Sequence, residues 1–283
     1  MLEQTLTLKP EQPRTIIEPR TNLFDLSLKA VWEYRELLYS LVLRDVKVRY
    51  KQTALGVSWV VLQPLITMLI FTALFSYLTK MPSDGTWYPV FVYTALLPWT
   101  YFAQAIGRSG GSLVSNASMI SKVYFPRLIL PLASIVGPLL DFALSFIILL
   151  AMVFWAESAL TWKIVTLPLF LGLAFMTALG VSLFISAANV RYRDVGHTIP
   201  FVMQIWMFAS PVVYPVSAVP EHWRFIYSLN PMVGVIEGFR WALLGKASPD
   251  IVVMTISVAA VLALLFGGVV YFKHMERTFA DVI

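Results

Sequence analysis

The chain has 283 residues, 58% of them hydrophobic and 13% charged, with 21 Lys+Arg, 16 Asp+Glu and no cysteine. Soluble domains carry about 25% charged residues, so an ordinary water-soluble fold is excluded. The missing thiols exclude disulfide scaffolds, Cys-based zinc sites and thiol catalysis, and the formal charge of +5 suits an anionic membrane surface.

Residues 1–22 hold Pro10, Pro13 and Pro19 among mixed charges, which predicts a flexible cytoplasmic tail. No short apolar stretch sits near Met1, so no cleavable signal peptide is expected. Residues 23–51 form a different segment. Leu28, Val31, Trp32, Leu38, Tyr39 and Val42 recur at helical spacing, with Asp25 or Ser27 as a cap. This predicts an amphipathic helix lying along the membrane face, with Trp32, Tyr34 and Tyr39 at the interfacial level. Arg44, Lys47, Arg49 and Lys51 follow as a basic collar. The collar suits plain topology anchoring, anionic lipid head groups, or a pyrophosphate on a substrate.

Residues 52–283 read as the membrane domain. A helix needs about 20 apolar residues to cross the hydrocarbon. Windows free of Asp, Glu, Lys and Arg fall at 52–79, 85–107, 164–190, 195–220 and 251–272, and 128–156 holds Asp141 alone. The expectation is an all-α polytopic membrane protein with six spans near 57–79, 88–107, 132–156, 164–187, 198–214 and 252–272. Pro200, Pro211 and Pro215 crowd the fifth. Six spans divide the 21 Lys+Arg into sixteen on the side of the termini and five opposite. Basic residues favour the cytoplasm, so both termini are expected there.

Two connections carry helices of their own. In the 2–3 loop, Ser112, Ser115, Asn116 and Ser118 offer caps for a short helix. Met119, Ile120, Val123 and Phe125 give that helix an apolar side, flanked by Lys122 and Arg127. It reads as a docking element or as a connector at head-group level. Between spans five and six, residues 212–250 hold apolar runs too short to span, broken at Asn230-Pro231. Two short helices fit, as a re-entrant hairpin dipping into the outer leaflet or as a purely interfacial pair. Glu221, Glu237 and Arg240 then sit near the interface or pair.

Catalytic patterns are missing. His197, His222 and His274 fall in three separate loops, and no His-Glu-x-x-His exists. The stretch 238–246 superficially looks like a phosphate loop, but its spacing is wrong and Ala247 replaces the magnesium-binding hydroxyl. Energy for any work is expected from another chain or an ion gradient. Asp141, the single ionisable residue within the trimmed spans, suits a polar contact inside the bundle, a place in a conduit, or a proton relay. Aromatics inside the spans include Phe71, Phe75, Trp99, Tyr101, Phe102, Trp206 and Phe208. They suit packing, interfacial belts, or a conduit whose ring faces meet sugar C–H faces.

The run Arg44-Asp45-Val46-Lys47-Val48-Arg49-Tyr50, then Leu55-Gly56, Trp59 and Pro64, resembles the membrane subunits of type-2 ABC exporters. The likeness is to the permeases that export O-antigen, capsular polysaccharide and teichoic acid. Further matches are Pro98-Trp99, Lys122-Val123-Tyr124-Phe125-Pro126, Arg193-Asp194, Ser210-Pro211 and Asn230-Pro231. The resemblance spans roughly residues 25–280. It implies a homodimer with two ABC ATP-binding subunits, in the bacterial cytoplasmic membrane, and no nucleic-acid partner. No cofactor is expected on this chain; ATP and Mg belong to the partner subunit. It implies that residues 28–43 are the interface helix and Arg44, Lys47, Arg49 and Lys51 the gate for a lipid-linked polysaccharide. It implies that the segment 115–125 couples to the ATPase through Ser115, Asn116, Met119, Lys122, Val123 and Phe125. Phe71, Phe75, Trp206 and Phe208 on spans one and five, with Trp99, become conduit candidates. The alternatives are a type-2 ABC exporter of drugs or lipids and a membrane-embedded glycosyl- or phosphotransferase. The second needs clustered acids, whereas Asp84, Glu157, Glu221, Glu237 and Asp250 are scattered.

Overall fold

The computed structural model describes residues 28–51, 56, 58–156, 161–245 and 248–279. The expected tail at 1–22 and the caps Asp25 and Ser27 lie outside the described residues. Every regular element among the described residues is helical. In chain order these are α1 (Leu28–Glu33), α2 (Arg35–Tyr50), α3 (Ser58–Phe71), α4 (Tyr88–Gly110), α5 (Ser112–Ser115), α6 (Ala117–Lys122) and α7 (Ile129–Val136). Then come α8 (Pro138–Trp155), α9 (Leu167–Arg191), α10 (Asp194–Phe208), α11 (Glu221–Ser228), α12 (Pro231–Leu244) and α13 (Ile251–Glu276).

Among the described residues four stretches are long and apolar enough to cross a membrane: Ser58–Leu78, Ile129–Trp155, Trp162–Arg191 and Ile251–Glu276. The first joins α3 to a π-helical turn, Thr72–Leu78. The second joins α7 and α8 end to end, and Pro138 opens the new helix just past Gly137. The remaining two expected spans differ for physical reasons. Helix α4 has 23 residues, length enough for the hydrocarbon, but it is sheathed by α3, α7, α8, α9, α10 and α12. A helix hidden from lipid is free to carry Tyr93, Thr94, Tyr101 and Gln104, which lower its apolar character. Helix α10 has only 15 residues, about 22 Å at the usual rise, and ends where Ser210-Pro211 stops it. Pro200 lies inside α10 rather than ending it.

Close helix approach fixes the bundle. Helices α9 and α13 pack along each other, and Gly180 and Gly268 meet at their crossing. A Cβ on Gly180 stands 2.8 Å from the Leu264 carbonyl carbon, so no larger residue fits without parting the helices. Gly238 of α12 lies directly against the Phe170 ring.

The core has two parts. The larger surrounds α4 with Leu96, Phe102, Ala178, Val235 and Phe239. The smaller gathers Leu41, Leu113, Phe125, Ile129, Phe272 and Phe279 at the end where the basic residues collect. There α2 packs on α7. Helix α2 runs through Arg44, Lys47 and Arg49 with Lys51 at its C-cap, whereas a turn at Tyr34 sets α1 apart, so the single helix expected over 28–43 is broken in two. Trp32 of α1 and Tyr39 of α2 stay exposed.

Candidate functional site

The structure brings the candidate residues together in three groups. The first is at the C-terminal end of α2. Arg49 forms an ion pair with Asp141 of α8, and the Tyr50 hydroxyl donates to the other carboxylate oxygen. The side chains are 15% and 7% exposed for Arg49 and Asp141. Asp141 therefore meets a charge partner 92 residues away and anchors the collar to the bundle. Burial, and then the hydrogen bond to Asp141, push the Tyr50 phenol up to about 12, so it stays protonated and donates. Arg44, Lys47 and Lys51 point outward and remain exposed. The collar thus divides into one inward, structural arginine and three outward cations.

The second group is the loop after α4. Helices α5 and α6 cover part of the expected 115–125 helix, but Val123 onward is extended. The Asn116 side chain bonds back to the Ser112 carbonyl at 2.8 Å and accepts from Arg44 Nη1 at 3.2 Å. Sequence reasoning put Arg44 and Asn116 in separate roles; the structure joins them. Ser115 and Lys122 are exposed, Met119 is half-buried, and Val123 is 57% exposed. Phe125, expected on the docking surface, is a correction: at 5% exposure it sits in the smaller core and anchors the loop. Tyr124, not singled out in sequence, takes the exposed place beside Val123. Two clamps hold this end together. Asn189 donates to the Gly110 carbonyl and accepts from the Gly196 amide, both at 2.9 Å. Arg127 donates to the Glu276 carbonyl and lies over the Phe279 ring.

The third group is aromatic. Phe71 of α3 meets Phe75 edge-on at 5.8 Å between centroids, and Phe208 of α10 at 6.4 Å. Trp99 meets Phe102 at 5.5 Å, and Phe102 meets Trp206 at 5.1 Å. Phe208 is 46% exposed, whereas Trp99 and most of Phe71 are buried. So Trp99 is a packing residue within one chain, and Phe75, Trp206 and Phe208 reach the surface. Around them α3 and α10 present Leu62, Ile66, Leu69, Phe201, Val202 and Ile205 to the outside. Trp206 Nε1 donates to Asn230 Oδ1 at 2.9 Å, and Asn230 also caps α12 through the Met232 amide at 3.1 Å. That residue therefore ties α10 to the α11–α12 pair. Helix α12 is almost wholly buried, while α11 shows Trp223, Phe225 and Ile226.

Among the described residues no group of three or more His, Asp or Glu is placed to hold a metal ion. What remains is a helical bundle with membrane-length apolar helices, a buried ion pair beneath an outward-facing basic collar, and an exposed helical loop beside it. These define a multi-pass membrane protein. The chain belongs to the ABC-2 type transporter family, which it matches over residues 36–244. It is 28% identical over 258 residues to the O-antigen export system permease protein RfbA of Myxococcus xanthus, covering 90% of this chain and 98% of that one. The permease of the same name from Klebsiella pneumoniae is 26% identical over 251 residues, 88% and 95% of the two chains. The polysialic acid transport protein KpsM of Escherichia coli is 24% identical over 244 residues, 84% and 93% of the two chains.

Proposed function

We propose that this chain is the membrane-spanning permease subunit of an ATP-driven exporter that moves a lipid-linked polysaccharide outward across the bacterial cytoplasmic membrane. The relatives are O-antigen export and polysialic acid transport proteins, aligned over nearly their whole lengths. The basic end faces the cytoplasm, in keeping with the excess of Lys and Arg there. Six spans, with α4 and α10 as the second and fifth, leave both termini on that side. The α11–α12 pair forms the external hairpin, α12 seated in the bundle and α11 at the interface.

The observation that carries the coupling part of this reading is the Arg44–Asn116 contact. It joins the collar to the loop bearing α5 and α6. An ATP-binding subunit grips Ser115, Lys122, Val123 and Tyr124, and movement of that loop reaches the collar through Arg44. Lys47 and Lys51 then meet the substrate's phosphates, as exposed cations at a membrane surface do. Two copies of the chain face one another across α3 and α10. Their exposed apolar faces and Phe75, Trp206 and Phe208 line a conduit over which sugar rings slide by C–H stacking rather than fixed hydrogen bonds. ATP and Mg are held by the separate nucleotide-binding subunits.

Deletion of the chain in its host, with the glycan followed by gel and lipid extraction, tests this directly. The expected result is loss of the surface polysaccharide and retention of lipid-linked polymer inside. A normal surface glycan with no internal polymer contradicts the proposal.

A further inference from the structure

At the end opposite the collar lies a cavity of about 450 Å³ that none of the roles above uses. This falls within the roughly 300–1,000 Å³ of small-ligand sites. Its walls come from the turn before α4, the turn before α11, the face of α12 and the start of α13. Arg240 of α12 lines it and is 5% exposed. Its guanidinium stands 3.6 Å from the Phe91 ring centroid and donates to the Val212 carbonyl at 3.1 Å and to Glu237 at 3.3 Å. Its Nε is buried with no hydrogen-bond partner. A buried ion pair is at best neutral for stability compared with apolar packing, so its presence beside a cavity asks for another reason.

We infer that this cavity is an exit-side subsite for one neutral or N-acetylated sugar ring, an inference resting on the polysaccharide reading above. Glu237, more open than Arg240, offers carboxylate oxygen to sugar hydroxyls, and Arg224 brings a second guanidinium to the same lining. Ser217 and Ser248 add hydroxyls at the rim, and the half-buried Trp241 adds an apolar face. Paired acceptors and donors beside an indole match a pyranose, whose hydroxyls lie around an apolar ring face. Carboxylates of Asp84, Glu237 and Asp250 face guanidiniums of Arg224 and Arg240 among the described lining residues. That balance disfavours a phosphate head group and disfavours uronic or sialic acids. Asp84 is held in place by Ser217 Oγ at 3.0 Å, in a turn where Asp84 and Gly85 take φ of 49° and 72°. Such a site gives the emerging glycan a place to pause between strokes.

The test uses the full chain with its ATP-binding partner in phosphatidylcholine nanodiscs. Saturation-transfer NMR is run with N-acetylglucosamine, mannose, galactose, glucuronate and N-acetylneuraminate as separate probes. Signal from at least one of the first three is expected, with loss of that signal in Ser217→Trp and Ser248→Trp. Both positions are exposed, so the bulky ring fills the rim without entering the core. No signal from the wild type, a signal unchanged by both variants, or signal from the two acidic sugars alone overturns the inference. So does a phospholipid displaced by Ser217→Trp in native mass spectrometry without any sugar signal. Deletion in the host separates the two readings. Loss of surface glycan with no sugar binding sinks the subsite and leaves the exporter standing. Intact surface glycan after deletion sinks the exporter, whatever the NMR shows.

Discussion

Replacing Asp141 by Leu removes the carboxylate that Arg49 and Tyr50 share. Arg49 is then left 15% exposed with its charge unmatched, and its Nε and Nη2 already lack partners. Breaking a buried pair from one side costs about 3–5 kcal/mol. At about 2–4 °C per kcal/mol for a chain of a few hundred residues, the melting temperature falls by roughly 6–20 °C. Removing both charges, Arg49→Leu with Asp141→Leu, leaves no stranded ion and restores most of that loss. Asp141→Asn keeps an acceptor oxygen and falls between the two. Differential scanning fluorimetry of the detergent-solubilised protein reads the wild type, Asp141→Leu, Arg49→Leu and the double variant as a double-mutant cycle, with Asp141→Asn alongside. A single Asp141→Leu that melts with the wild type refutes the buried pair. A double variant as unstable as the single shows that packing, not charge, is what the site supplies.

Val123→Asp or Tyr124→Asp puts a charge on the exposed loop face proposed to dock the ATP-binding subunit. Each is expected to insert normally and to cut glycan-stimulated ATPase activity of the complex about tenfold or more, read in nanodiscs. Phe125→Asp instead buries a charge in the smaller core, so the expected readout is loss of folded protein in fluorescence-detected size exclusion. Gly238→Ala drives a methyl group into the Phe170 ring and is expected to destabilise by about 1–3 kcal/mol, measured by thermal melt. Arg44→Ala and Asn116→Ala, each removing one side of a single link, are expected to lower export by similar factors. The pair together is expected to lower it no further, read by surface-glycan flow cytometry.

Much of the fold was legible because lipid imposes its own arithmetic. The spans expected at 57–79 and 252–272 coincide closely with the helical stretches Ser58–Leu78 and Ile251–Glu276. The position of α4 inside a sheath of six helices was not legible. Hydropathy measures tolerance of lipid, and a shielded helix shows only a weak signal, here Thr94 and Tyr101 within an apolar run. Asp141 announced by its cost alone that it needs company. Its partner across 92 residues left no periodic trace, since an ion pair between distant segments imposes no spacing on the sequence. Glu237 and Arg240, three residues apart on one helix, were readable as a pair for the opposite reason. Phe125 misled because extending the helix through it turned an anchoring residue outward. Pro126 directly after it favours extended backbone before the ring, and that signal marks where the helix had to end. The opposite-end cavity draws its wall from four separate segments, which only the folded chain brings together.

The central claim is that a partner's ATP drives a lipid-linked glycan through this chain. Co-reconstitution of the chain with its ATP-binding subunit in proteoliposomes, loaded with a fluorescent undecaprenyl-linked oligosaccharide, measures it directly. The predicted result is movement of the label to the opposite leaflet that requires ATP and both proteins. Nucleotide hydrolysis by the chain alone, or label transfer that proceeds equally without ATP, contradicts it.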